Sequence, residues 1–158
     1  MRKKNKCIGF LVVSGHPFVR KRIISTLSDE EEIIVMGEAS NIFELGECIP
    51  KLNPAIVVVN DDDKGLNSLE AIKLINQKTS DSKILLLLKD YDEERELNAL
   101  KMGVRGFLPE NVGKTDLVKC IRAINNGEMW VRRRVMEKLI EQLLNRTGAN
   151  NLRGQGIK

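Results

Sequence analysis

The stretch VVVNDDDKGLNS, residues 57–68, runs three valines into an asparagine and then three aspartates. A buried strand that empties into clustered carboxylates is a place to handle a hard cation or a phosphate. Carboxylate oxygens ligate such cations, and an aspartate can act as a nucleophile. The first polar residue here is Asn60, whose amide cannot ionise and is a poor nucleophile. Asp61, Asp62 and Asp63 could hold a cation weakly. Adjacent residues in an extended loop point different ways, so their carboxylates need not converge. The plainer reading is a solvated acidic loop that caps the next helix.

Other reactive residue types are sparse. His16 could serve as a base, but no nucleophile sits beside it, and a place at a helix start accounts for it. Cys7, Cys48 and Cys120 are odd in number, far apart and set in apolar patterns. They fit reduced core thiols better than a disulfide frame. With one histidine in the chain, a His/Cys cluster for a transition metal is excluded. No cofactor and no enzymatic activity are expected from these residues.

The 158 residues suffice for one domain and an appendage, and 42% hydrophobic with 30% charged is an ordinary soluble balance. The net charge of +4 is modest, and much of it lies in RKKNK (2–6) and in Arg132, Arg133 and Arg134. Such basic ends can assist nucleic-acid contact, although solvated tails and helix faces have the same composition. No apolar run approaches the roughly 20 residues of a membrane span. The opening MRKKNKCIGFLVVSG has a short apolar part interrupted by Gly9 and no convincing cleavage site, so it reads as a strand and the protein as cytoplasmic.

Strand and helix periods alternate along the chain. CIGFLVV (7–13) is a continuous apolar run, and 17–27 has helical spacing with Pro17 in the first turn. IIVMG (33–37) is a second strand. Asn41 then caps a helix that Pro50 should stop. AIVVV (55–59) and KILLLL (83–88) lack polar alternation, which implies burial on both faces. Helices follow at 67–77 and within DEERELNALKM, the latter ending at Gly103. VRGFL (104–108) is a fifth strand and 114–125 the helix after it. This order describes a doubly wound, five-stranded parallel α/β sheet of flavodoxin-like type over 1–127. A connector helix is expected within 128–146, with Val131, Val135 and Leu139 on one apolar stripe and Trp130 anchoring its head. Residues 147–158 read as a flexible linker or tail.

VVSGHPFVRKRI at the first loop, IIVMGEASN at the second strand and ALKMGVRGFLPEN around the fifth resemble bacterial response-regulator receiver domains. The resemblance is to the NarL/FixJ branch, which carries a LuxR-type helix-turn-helix after the receiver. INNGEMWVRRRVMEKLIEQLL resembles that branch's last receiver helix and connector. The similarity spans roughly residues 7–145, and the helix-turn-helix would begin about where this sequence stops.

The resemblance implies an acidic pair after the first strand for magnesium and a phosphoacceptor aspartate after the third. It also implies a hydroxyl residue after the fourth strand and a lysine after the fifth, which hold the new anion. This sequence departs at each place. Ser14 and Gly15 stand for the acidic pair, Asn60 for the aspartate, Leu88 for the hydroxyl and Glu110 for the lysine. Glu110 would meet a basic group such as Lys89 across the pocket as a substitute for the metal. Phe107 occupies the position of the aromatic that swings between two states, and packing on Leu88 would fix one of them.

The expectation is a pseudo-receiver: a signalling or transcription-regulating module that works without aspartate phosphorylation. Its output would be homodimerisation or partner binding through the fourth helix, fifth strand and fifth helix. DNA contact is expected only through an attached helix-turn-helix. The alternative is a small-molecule-sensing or nucleotide-binding flavodoxin-like domain. SGHP (14–17) is the nearest thing to a phosphate-cradling loop, and Leu88, Ser14 and Asn60 would line a vacated pocket.

Overall fold

The computed structural model of the chain describes residues 7–61 and 66–154, the last seven of these as backbone only. The basic residues 2–6 and the aspartates Asp62 and Asp63 lie outside the described residues.

Five strands form a parallel sheet: β1 (Ile8–Val13), β2 (Ile33–Ala39), β3 (Ile56–Asn60), β4 (Lys83–Leu88) and β5 (Val104–Pro109). Their spatial order is β2-β1-β3-β4-β5, that of a flavodoxin-like doubly wound sheet. The helices α1 (Pro17–Leu27), α2 (Ile42–Leu52), α3 (Ser68–Lys78), α4 (Glu93–Lys101) and α5 (Lys114–Asn125) connect them. The crossovers divide the core in two. Leu11, Val57, Val59 and Leu86 pack against α2, α3 and α4 on one face, and Val12, Val58, Leu85 and Leu87 pack against α1 and α5 on the other. The two-sided burial explains why β3 and β4 carry unbroken aliphatic runs.

Helix ends follow local chemistry. Asn41 Oδ1 accepts from the Glu44 N–H at 2.8 Å, and Asn67 Oδ1 accepts from the amides of Leu69 and Glu70. Gly103, at φ 106°, provides the left-handed turn after α4. Pro50 does not stop α2, which continues to Leu52 and closes at Asn53 with φ 46°. In the last turn the missing proline N–H costs a single bond, and Asn53 restores the closure by donating to the Ile49 carbonyl at 2.9 Å.

A sixth helix, α6 (Arg133–Gly154), extends beyond the expected connector and into the expected tail. Adding residues to an existing helix costs little compared with nucleating one, and the first turns of α6 are anchored by docking. Val135 is fully buried in the core cluster beneath α4, with Val131, Met136 and Leu139 packed around it. The apolar stripe is thus folded back on the domain. The Trp130 N–H donates to the Arg105 carbonyl and the Phe107 N–H to the Trp130 carbonyl, both at 2.9 Å, so the segment leading into the helix pairs with β5. Trp130 also packs on the α1/α5 side of the core.

Candidate functional site

The carboxyl ends of the parallel strands, where doubly wound folds place their ligands, collect the singled-out residues. Val13 is opposite Val59, Asn60 is opposite Leu87, and Leu88 is opposite Pro109. This register sets Ser14, Asn60, Leu88 and Glu110 side by side along the sheet edge.

Ser14 is fully buried, and its roles are internal. Its N–H donates to the Ala39 carbonyl at 3.0 Å and its Oγ accepts from the His16 N–H at 3.1 Å. His16 is the residue immediately before α1, as its place beside Pro17 suggests. Gly15 is half-buried in the turn between them. Asn60 is 1% exposed, and neither its Nδ2 nor its Oδ1 has a hydrogen-bond partner. An unpaired buried amide costs about 1–3 kcal/mol.

Asp61 is not the solvated carboxylate its sequence context suggests. It is buried, with Oδ1 accepting from Ser68 Oγ at 2.8 Å and Oδ2 paired with Arg95 at 2.5 Å. Its N–H continues the ladder to the Leu87 carbonyl at 2.8 Å, which turns the side chain inward toward α3 and α4. Both of its oxygens are thereby engaged with protein donors.

Glu110 is half-buried, and among the described residues no ion pair joins it to Lys89. The cations at this end come from the helices. Arg20 Nη1 donates to the Ser14 carbonyl at 2.7 Å while its Nε pairs with Glu38 at 2.9 Å. Arg22 donates to the carbonyls of Glu110 and Val112. The short main-chain segments thus need no metal to tie them. Residue spacing carries no signal for Arg20, Arg22 or Arg95, because each acts through a partner on a different element.

The donors that remain are a poor match for a hard cation, which takes several oxygen ligands. Ser14 is hydrogen-bonded, Asn60 offers one neutral oxygen and Asp61 is held by an arginine. Among the described residues no group of three His, Cys, Asp or Glu side chains converges on a point.

Leu88 and Phe107 belong to the same buried cluster, which also contains Leu97, Leu100 and Val135. Phe107 is 3% exposed, so its ring faces inward. Of the cysteines, only Cys120 is a core thiol, and burial, with help from Asp116, pushes it up to about 12. Cys48 is half-buried and Cys7 is exposed, because Cys7 precedes the first strand instead of entering it.

No family model matches the sequence. The chain is 29% identical over 119 residues to the nitrate/nitrite response regulator protein NarL of Escherichia coli (strain K12), covering 75% of this chain and 55% of NarL. It is 27% identical over 136 residues to the transcriptional regulatory protein LiaR of Bacillus subtilis (strain 168), covering 86% of this chain and 64% of LiaR. The chain therefore spans between about half and two thirds of the length of these relatives. A LuxR-family two-component response regulator from Aurantimonas sp. SI85-9A1 superposes with a TM-score of 0.75 at 22% identity, over 88% of this chain and 99% of that one. Among the described residues no helix is long and apolar enough to cross a membrane. By sequence the chain is similar to the NarL and LiaR response regulators, and its fold matches that of the LuxR-family response-regulator structure.

Proposed function

We propose that this receiver works in cytoplasmic signal transduction without aspartate phosphorylation, as a fixed module whose output is association with a second copy or a partner. The observation that carries this reading is Asn60: a buried amide at the end of β3, without partners, where the resemblance calls for a nucleophilic carboxylate. An amide forms no acyl phosphate. Ser14 and Gly15 supply no carboxylate for magnesium, Leu88 supplies no hydroxyl, and Glu110 repels an anion where lysine would attract it.

With magnesium and acetyl phosphate, or with beryllium trifluoride, the chain is expected to stay unmodified and keep its melting temperature. A phosphoaspartate at Asp61, Asp62 or Asp63 in the mass spectrum would overturn the reading. Asp61 offers the sharpest case, since its attack would require release from both Arg95 and Ser68.

Association follows from the outer face of α6. With Val135 turned inward, Ile140, Leu143 and Leu144, farther along α6, remain 49–65% exposed. Three large aliphatic residues within five positions make an apolar surface suited to a second copy of the chain. Light scattering at micromolar concentration is expected to give a dimer with or without phosphate donor, and Leu144→Glu is expected to give a monomer. A monomeric parent chain would remove the idea. Transcription regulation, with DNA contact through an attached helix-turn-helix, is the corresponding role for a longer protein.

A further inference from the structure

The face of α4 is built around a carboxylate that most exposed helices would not bury. Glu96 is 0% exposed. Its Oε1 and Oε2 accept from Arg132 Nε and Nη2 at 3.1 and 2.7 Å, a two-pronged charge-assisted contact. Oε2 also accepts from the Asp92 N–H at 3.2 Å. The Arg132 guanidinium lies 4.4 Å above the Tyr91 ring and stays 36% exposed, so the pair joins a buried carboxylate to a partly exposed arginine. One turn away, Glu93 pairs with Arg134 at 2.5 Å and with Lys138 at 3.3 Å. Val135 fills the apolar centre between these charges.

A helix that merely continued the chain would not need a buried ion pair to hold it. Burying a carboxylate is costly unless a partner is held in good geometry, and breaking the pair leaves an isolated acid in the core. That makes the contact two-valued. With Arg132 in place the interface is closed. With Arg132 gone, Glu96 is best hydrated, and hydration requires α6 to leave. We propose that α6 is an intramolecular latch over α4, closed by the Arg132–Glu96 pair, and that its release uncovers an acidic and apolar α4 surface for a basic amphipathic helix. The sign of the partner follows from the latch itself: α6 and the residue before it present Arg132, Arg134 and Lys138 around Val135, and a competitor must reproduce that pattern. This inference does not depend on whether the domain can be phosphorylated.

Hydrogen–deuterium exchange on the full chain tests it. Arg132→Ala is expected to speed amide exchange across 133–145 by about tenfold, as loss of a charged hydrogen-bond pair implies. The amides of β1, β3 and β4 should keep their parental rates. Glu96→Gln, which preserves the shape but weakens the pair, should act in the same region. Arg134→Ala, whose side chain is 76% exposed, should have a much smaller effect. Unchanged exchange in α6 in both latch variants would overturn the proposal. So would equal acceleration throughout the sheet, which would make the pair a part of global stability and not a latch.

Discussion

Asn60→Asp, the substitution that restores the expected phosphoacceptor, is expected to leave the protein unphosphorylated and to weaken it. Residue 60 is 1% exposed and its side chain meets no donor. A carboxylate placed there is desolvated beside the Asp61 carboxylate, and the arginines described at this end are already engaged, Arg95 by Asp61, Arg20 by the Ser14 carbonyl and Arg22 by those of Glu110 and Val112. An uncompensated buried charge costs about 3 kcal/mol or more. Desolvation and the like charge both raise the new group's folded-state pKa above its unfolded value. The penalty is therefore absent at low pH, where the group is protonated in both states. It grows as pH rises past the unfolded pKa and is complete above the folded one. Urea unfolding of variant and parent across pH 4–8 should show the gap widening toward neutrality. A pH-independent gap, or stoichiometric labelling by acetyl phosphate, would mean that the site keeps a cation geometry unlike the one described.

Phe107→Ala is expected to cost about 3–5 kcal/mol, the range for removing a large buried aromatic. Phe107 is 3% exposed and packs with Leu88, Leu97, Leu100 and Val135. Its N–H also donates to the carbonyl of Trp130, which leads into α6. A ring that spent much of its time swung toward solvent would contribute far less, so the size of the loss reports whether the aromatic is fixed. Denaturant unfolding followed through Trp130 fluorescence gives the number. A loss below about 1 kcal/mol would indicate a switching side chain and would weaken the reading of a fixed module.

The sequence alone determined the layout, because the physics that sets it is local or periodic. Short unbroken runs such as IVVV and ILLLL, bounded by turn residues, read as strands buried on both faces. Asn41, Asn67 and Gly103 mark helix ends through bonds and dihedral angles within a few residues of themselves. The positions Ser14, Gly15, Asn60, Leu88 and Glu110 were legible as strand ends, and the sheet register sets Ser14, Asn60, Leu88 and Glu110 in a row. Pro50 misled because proline's cost depends on its place in the helix, which the residue type does not carry.

Tertiary structure decided everything that depends on a partner from elsewhere in the chain. Asp61 reads as a surface acid until Arg95 and Ser68 are folded onto it. Glu110 has charge enough to attract Lys89, but the arginines of α1 reach this end of the sheet and take its carbonyls instead. Glu96 lies in a run of charges, DEERE, that looks fully solvated. Among the described residues it becomes the most buried acid, because Arg132, 36 residues away, closes over it. Periodicity shows that α6 has an apolar stripe, while only the docking on α4 says which residues are spent on the core and which stay exposed.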